Sequence, residues 1–457
     1  MRFWPGSRII PGIRFAAEPK AVSFSHRTSV KRRFGRVLSV LVRKTAEESL
    51  GPAVEAPPGM GGRFERRRAD IVSAAVPILN AQGFKGMTLT AVAEVIGLKA
   101  TGVTYYFPRK EELAVACFES GIEVFHHLLD EAEKEASPAL RVSRLIRLFI
   151  ERDAAVRRGE VCPLASFSCI RALEGEHRSR VAEGYKAMFR RVRDLMAVED
   201  GTGPGKRART FRTLSLLEQL YWANTWLADY DIEDFPRIAE RMTDVVLHGL
   251  APSGQSYQPS VLQWRPGASE TDGAKENFLR AATREINAHG YRGASVDRIS
   301  ASMNVTKGAF YHHIDAKDDL VASCFRRSFG IVRDAQRKVR GKGPDEWWRL
   351  TTAVSELVRF QLCDEGPLLR TSAVSSMPHE HQVEIVSLSY QNARQFAAMI
   401  SDAIAEGSVT PVDPVIAAHL INAAINAASD ARPWTVPVGA DDPADYARPL
   451  FYGILLP

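Results

Sequence analysis

Two clusters of hydroxyl, ring and cationic side chains recur in this chain at one spacing. Thr101, Thr104, Tyr105, Tyr106 and Lys110 form the first; Thr306, Lys307, Tyr311, His312, His313 and Lys317 form the second. His312 follows Tyr105, and Lys317 follows Lys110, by 207 residues. Phenols, small hydroxyls and ammonium groups suit phosphate oxygens and base edges. They are not a set for covalent catalysis. No G-x-S-x-G, H-E-x-x-H, phosphate-binding glycine loop or Cys-x-x-Cys is present. The histidine pairs His126-His127, His312-His313 and His379/His381 lack a carboxylate or cysteine at metal spacing. An enzyme is therefore not expected, nor a cofactor or a bound metal.

The elements that must position these groups repeat as well. Residues 88–113 and 295–320 align without a gap, so the chain carries one module twice. Upstream, Ile71, Ala74, Ala75, Ile78 and Leu79 fall on one helical face, as do Phe278, Ala281, Ala282 and Ile286, with Glu285 interrupting the second stripe. Gly83 and Gly290 are placed to end these helices at positive φ. Pro77 is expected to kink the first, since an interior proline costs about 3 kcal/mol. Thr88 and Ser295 suit the N-cap of a second helix of about two turns, which stops at Gly97-Leu98 and at Asn304-Val305. In a third short helix, Val103/Phe107 and Phe310/Ile314 face the core and the polar groups face outward. Lys110 and Lys317 head a fourth helix with acids in its first turn. Two short helices on a tight turn form a helix-turn-helix, whose second helix fits the DNA major groove. The same periodicity also fits a plain helical hairpin with a solvated polar face.

Both segments resemble the DNA-binding domain of the TetR family of transcriptional regulators. The first supplies Gly83-Phe84, Thr88, Gly97-Leu98, Tyr105-Tyr106-Phe107 and Lys110-x-x-Leu113; the second supplies Gly290-Tyr291, Ser295, Val305-Thr306-Lys307-Gly308, Tyr311-His312-His313 and Lys317-x-x-Leu320. The resemblance implies an all-α fold of two tandem TetR-like units, each a three-helix DNA-binding domain followed by a helical regulatory and dimerisation bundle. It implies DNA contacts from Thr88, Lys99, Thr101, Thr104, Tyr105, Tyr106 and Lys110 in the first unit. In the second it implies Ser295, Arg298, Thr306, Lys307, Tyr311, His312, His313 and Lys317. Departures exist: Thr104 stands where the family commonly has Tyr, Ala100 where Lys is frequent, Asn304 at the turn glycine and Ile314 at the core Phe. The two exposed faces differ and should not read the same half-site.

With 457 residues, the chain has room for two or three domains. The division expected is a basic extension over 1–60, DNA-binding domains over 61–118 and 275–325, regulatory domains over 119–250 and 326–457, and a linker over 251–274. The extension, rich in Arg, Lys, Pro and Ser, is expected to be disordered or to precede a true start at Met60. Net charge is +6, with Arg63, Arg66, Arg67 and Arg68 just ahead of the first module. Five scattered cysteines suggest a reducing cytoplasm. Cys117 and Cys324 are again 207 apart and are expected at equivalent core positions. No apolar run approaches the ~18 residues of a membrane span.

In the regulatory halves, helices are expected at about 207–229, 235–249, 412–430 and 442–452, with Gly249 and Gly453 near their ends. By the resemblance, the last two helices of each half build a four-helix bundle. The linker allows one chain to form a pseudo-dimer on a double-stranded DNA operator; a homodimer of whole chains is the other arrangement. Phe167, Trp222, Trp226 and Trp348 are candidates for the wall of a small-molecule effector pocket, or are ordinary core. The reading is a ligand-responsive repressor, the alternative a protein-interaction adaptor in which one helix-turn-helix no longer binds DNA.

Overall fold

A computed structural model describes residues 60–197, 205–262, 273–303, 317–377, 379–431 and 442–455. The expected extension, apart from Met60, lies outside them, as do Asn304, Phe310 and Ile314. Among the described residues there is no strand, and no helix is long and apolar enough to cross a membrane.

The first unit runs through α1 (Met60–Gly86), α2 (Leu89–Val95), α3 (Ala100–Tyr106), α4 (Lys110–Ala132) and α5 (Pro138–Arg157). A 3₁₀ segment, Phe167–Ala172, leads to α6 (Gly175–Asp194), α7 (Lys206–Trp226) and α8 (Phe235–His248). The second unit repeats the plan. It has α9 (Gly273–Gly293), α10 (Val296–Ser302), α11 (Lys317–Val339), α12 (Glu346–Leu362), a 3₁₀ segment Thr371–Ser376, α13 (His379–Glu406), α14 (Pro414–Ala431) and α15 (Asp442–Tyr452).

The helix faces follow the apolar spacing. Ile71, Val72, Ala75, Val76 and Leu79 of α1 are buried, as are Phe278, Leu279, Ala282 and Ile286 of α9. Gly83 and Gly290 break these helices with φ of 64° and 73°. Helical dihedrals continue through Pro77, and the non-helical break falls at Gly83. Proline at 77 leaves the Ser73 carbonyl without its helical donor. The Cys162 thiol, arriving from the loop after α5, donates to that carbonyl at 3.3 Å. Cys117 and Cys324 are both fully buried, and each thiol points at a carbonyl of its unit's first helix, Val72 or Leu279.

Packing joins the units through their last two helices. Trp226 of α7 stacks on His419 of α14, ring centres 5.4 Å apart. Phe211 meets Tyr446 at 5.9 Å. Asn426 donates to Glu218 at 2.6 Å, and Arg212 donates to the Ile454 carbonyl at 2.8 Å. The ends of α8 and α15 approach each other backbone to backbone. Leu250 N donates to Phe451 O at 2.8 Å, and Ile454 N to Val246 O at 2.9 Å. This approach requires glycine on both sides. A Cβ on Gly249 would lie 2.3 Å from Phe451 O, and one on Gly453 would lie 2.0 Å from Leu247 O. Both glycines also hold positive φ, 72° and 95°.

The described part of the linker is docked. Residues 251–262 run along α12, where Trp347 Nε1 donates to Ser256 O at 2.8 Å and Trp348 Nε1 to Ser260 Oγ at 3.1 Å.

Candidate nucleic-acid interface

The helix-turn-helix of the first unit is built by caps and a core. Thr88 accepts from Ala91 N at 3.1 Å and so starts α2. Gly97, at φ 64°, turns the chain between α2 and α3. Val103 and Phe107 are buried and fix the inner face of α3. Its outer face carries Thr101, Thr104 and Tyr105, all exposed, with Lys99 exposed at the N-cap. Thr104 donates to Ala100 O at 2.9 Å and keeps its oxygen free to accept. Tyr105 is 73% exposed, the most exposed ring among the large hydrophobic side chains of the described residues, and Tyr106 beside it is half-buried.

Sequence reasoning missed a third ring. Phe64, near the start of α1, packs 4.8 Å from Tyr106 and 6.1 Å from Tyr105. It ties the basic start of α1, with Arg63 exposed there, to the outer end of α3. The signal was present: Phe64 lies within the run of arginines, where an apolar residue needs a partner.

Lys110 and Lys317 bend toward their own units. Lys110 Nζ lies 4.7 Å over the Phe84 ring and 3.5 Å from Phe84 O. Lys317 Nζ lies 5.4 Å over Tyr291 and donates to Ala294 O at 2.8 Å. The Gly-aromatic step and the later lysine are thus two ends of one contact, which holds the head of the fourth helix against the end of the first. The Lys110 ammonium retains further donors for an anion.

In the second unit, Thr306, Lys307, Tyr311, His312 and His313 lie outside the described residues. Ser295 sits at the N-cap of α10 but makes no side-chain cap bond; its N–H donates instead to Glu285 Oε1 at 3.3 Å. Arg298 gives its Nε to Glu285 at 2.6 Å and its Nη2 to Gly293 O at 2.6 Å. Glu285, which breaks the apolar stripe of α9, therefore answers the charge of Arg298.

One pair of residues anchors the first helix of each unit to the loop beneath it. Asn80 donates to Leu164 O and accepts from Ser166 N, both at 2.8 Å. Asn287, 207 residues on, donates to Leu368 O at 2.9 Å and accepts from Arg370 N at 3.0 Å. Overlaying the repeats would have found it, since asparagine stands at both positions. Across the units, Arg171 donates to Asn287 O at 2.9 Å and pairs with Asp430, which Arg370 also grips. Burial works to raise the Asp430 pKa, but the two guanidiniums outweigh it and hold the carboxyl below its ordinary range.

The four aromatic candidates for an effector pocket do not converge. Phe167 packs with Phe125, Tyr185 and Tyr221 in the first body. Trp226 lies between the units, on His419. Trp348 sits under the linker, and Trp222 borders a cavity of about 40 Å³ beside Phe329 and Asn392.

Short helices on a tight turn, with an outward hydroxyl and phenol face, define a helix-turn-helix protein. The family model described as "Bacterial regulatory proteins, tetR family" matches residues 71–117 and 278–324. The chain is 27% identical over 155 residues to the Transposon Tn10 TetC protein of Escherichia coli, covering 32% of this chain and 78% of TetC. It is 31% identical over 85 residues to the HTH-type transcriptional regulator RutR of Escherichia coli, 19% of this chain and 40% of RutR. Against the Bacillus subtilis protein named "Uncharacterized HTH-type transcriptional regulator YfiR", it is 25% identical over 202 residues, 44% of this chain and 93% of that protein. The TetR-family unit thus occurs twice in tandem in this chain, at segments 207 residues apart.

Proposed function

We propose that the chain is a sequence-specific, ligand-responsive transcriptional repressor that grips a double-stranded operator with both helix-turn-helix units, as a pseudo-dimer within one chain. The observation that carries this reading is the face of α3, where Tyr105 is 73% exposed on a helix whose inner side is fully packed. With Phe64 and Tyr106, Tyr105 forms a cluster of rings at the outer end of the helix, and such a patch marks a surface for a partner. Phosphate contacts from Arg63 and Lys99 and the spare donors of Lys110 would set the register, and Thr101, Thr104 and Tyr105 would meet base edges. Two of the relatives, RutR and YfiR, are named as transcriptional regulators, which supports a regulator over an enzyme.

The intrachain arrangement is supported by the packing of α7 and α8 on α14 and α15, which covers the faces a homodimer would use. A covalent link puts the two halves at an effective concentration on the order of millimolar. Recognition helices one DNA turn apart, about 34 Å, are what such a pair would need. Because the exposed faces of the two units differ, the operator would hold two unlike half-sites. A bound effector would act by shifting the population of α4 and α11 positions, since these helices begin at Lys110 and Lys317.

Fluorescence anisotropy with the duplex upstream of the chain's own gene tests the reading. Nanomolar to micromolar binding at low salt is expected, and Tyr105→Ala should weaken it by about tenfold or more. Unchanged anisotropy at low salt would sink the DNA-binding reading. The mass of the complex tests the arrangement: two chains per operator would reject the intrachain form.

A further inference from the structure

We propose that the outer cleft between α11 and α13 binds a small organic phosphate carrying two or more negative charges. The cleft has a volume of about 360 Å³, and its walls are Arg333, Arg337, Arg340 and Arg394 with three glutamines, Gln336, Gln391 and Gln395. No carboxylate lines it. The volume falls within the range of ligand sites, ~300–1,000 Å³.

The same place in the first unit shows what this composition replaces. The register between units is fixed by one ion pair found in both. Glu119 of α4 meets Arg180 of α6 through two bonds, 2.6 and 2.9 Å; Arg326 of α11 meets Glu384 of α13 through two bonds, 2.7 and 2.8 Å. In that register His126, Asp130 and Glu133 stand where the second unit has Arg333, Arg337 and Arg340, and Arg190 and Arg191 stand where it has Arg394 and Gln395. In the first unit the cleft is closed by its own charges. Arg191 donates to Asp130 at 2.7 Å and to both oxygens of Glu133 at 3.1 and 2.7 Å. One guanidinium there, that of Arg191, grips two carboxylates.

In the second unit both acids have become arginines. Asp334 pairs with Arg337, and Arg340 reaches the side-chain oxygen of Gln395 only at 3.5 Å. Arg333, Arg337 and Arg340 follow each other on one side of α11, where like charges a turn apart repel. Planar guanidiniums match phosphate oxygens two bonds at a time, so a dianion would relieve the repulsion with directed bonds. Gln336 also lines the cleft. It is 5% exposed, its amide nitrogen donates to Asn392 O at 3.2 Å, and its buried side-chain oxygen has no partner among the described residues. That oxygen is covered, so recognition in the cleft falls to the guanidiniums and to the exposed amides of Gln391 and Gln395. Duplex DNA does not fit the position: Arg333 lies 16 residues along α11 from Lys317, about 24 Å at the helical rise. The site stands on this geometry and does not depend on the regulator reading.

Isothermal titration of the full chain tests it, with ribose 5-phosphate and inorganic pyrophosphate as probes and sodium sulfate at matched ionic strength as the comparison. Saturable binding of both phosphates at one site per chain is expected, with sulfate at least about tenfold weaker. Arg333→Gln with Arg394→Gln should weaken phosphate binding by about tenfold or more, while Arg191→Gln in the first unit should leave it unchanged. A triple variant, Arg337→Asp, Arg340→Glu and Gln395→Arg, restores the charge pattern of the first unit. It should melt no lower than the parent and lose the site. Binding that survives in either folded variant, sulfate binding as strong as phosphate, no saturable binding, or displacement of the phosphate by a short duplex would each overturn the proposal.

Discussion

The two units keep the same hidden polar contacts and disagree at their surfaces. Asn80 and Asn287 make the same two bonds to the same loop, and Cys117 and Cys324 point at the same carbonyl. These groups sit where a lost partner leaves an amide or carbonyl dry, at about 1–3 kcal/mol each. The exposed pair between the fourth helix and the long helix behind it has instead exchanged its charges, Glu119–Arg180 against Arg326–Glu384. A half-exposed ion pair contributes little, so either orientation serves. Where the outer cleft lost its acids altogether, the first unit stayed neutral and the second became a cluster of arginines. Burial thus separates what the duplicated units had to keep from what each was free to change.

The sharpest way to break this comparison is at the seam, where the units should respond alike. Gly453→Ala would push a methyl within 2.0 Å of Leu247 O, and Gly249→Ala within 2.3 Å of Phe451 O. Neither neighbour is a side chain that can swing away, and both glycines hold positive φ. Each substitution should cost on the order of 4 kcal/mol by urea denaturation. A silent Gly249→Ala beside a damaging Gly453→Ala would show that the seam is not matched from its two sides.

The next effect separates the units by pH. His419 is 5% exposed against the Trp226 ring. Burial lowers the His419 pKa to about 4 from 6.5, with Asp413 pulling weakly the other way. The unfolded chain therefore takes up a proton between pH about 6.5 and 4 that the folded chain refuses. Its stability contribution is intact above pH 6.5 and is lost toward pH 4, by about 3 kcal/mol in full. His419→Phe keeps a ring against Trp226 but no titrating group, and should remove that slope from melting curves taken across this window. Retention of the parent slope would assign the acid sensitivity elsewhere.

Asn80→Ala and Asn287→Ala should each lower stability by about 2 kcal/mol, since each leaves a carbonyl and an N–H of the supporting loop without partners. Equal losses, read by thermal melting, would show that the two anchors are equivalent. A loss confined to Asn80 would show that the second domain is held mainly by Arg171 and the Asp430 pair.

Much of the helix-turn-helix was legible because its signals are local. Apolar spacing, the Thr88 cap and the glycine turn each act within a few residues, and the structure places them as read. Contacts between distant segments were not legible. Gly249 and Gly453 read as helix ends, yet they are needed for backbone contact more than 200 residues apart in sequence. What takes up the carbonyl freed by Pro77 was hidden, because that thiol comes from residue 162. The aromatic candidates failed to gather for the same reason: a tryptophan carries no mark of whether a ligand, a linker or another unit will cover it. Lys110 looked purely outward until Phe84, 26 residues earlier, was found beneath it.

The smallest expected effect tests whether the exchanged ion pair is as free as its exposure implies. The side chains of Glu119 and Arg180 are 29% and 64% exposed, and those of Arg326 and Glu384 are 47% and 41% exposed. Glu119→Arg alone would set two guanidiniums against each other and should cost within about 1 kcal/mol. Adding Arg180→Glu rebuilds the bridge in the orientation of the second unit and should return stability to within about 0.3 kcal/mol of the parent. The corresponding pair of changes at Arg326 and Glu384 should behave the same way. If reversal at α4 and α6 stayed costly while reversal at α11 and α13 did not, the surrounding field would differ between units. The carboxylates Asp130 and Glu133 lie farther along α4 where α11 carries Arg337 and Arg340, so that asymmetry would trace to the same substitutions that opened the arginine cleft.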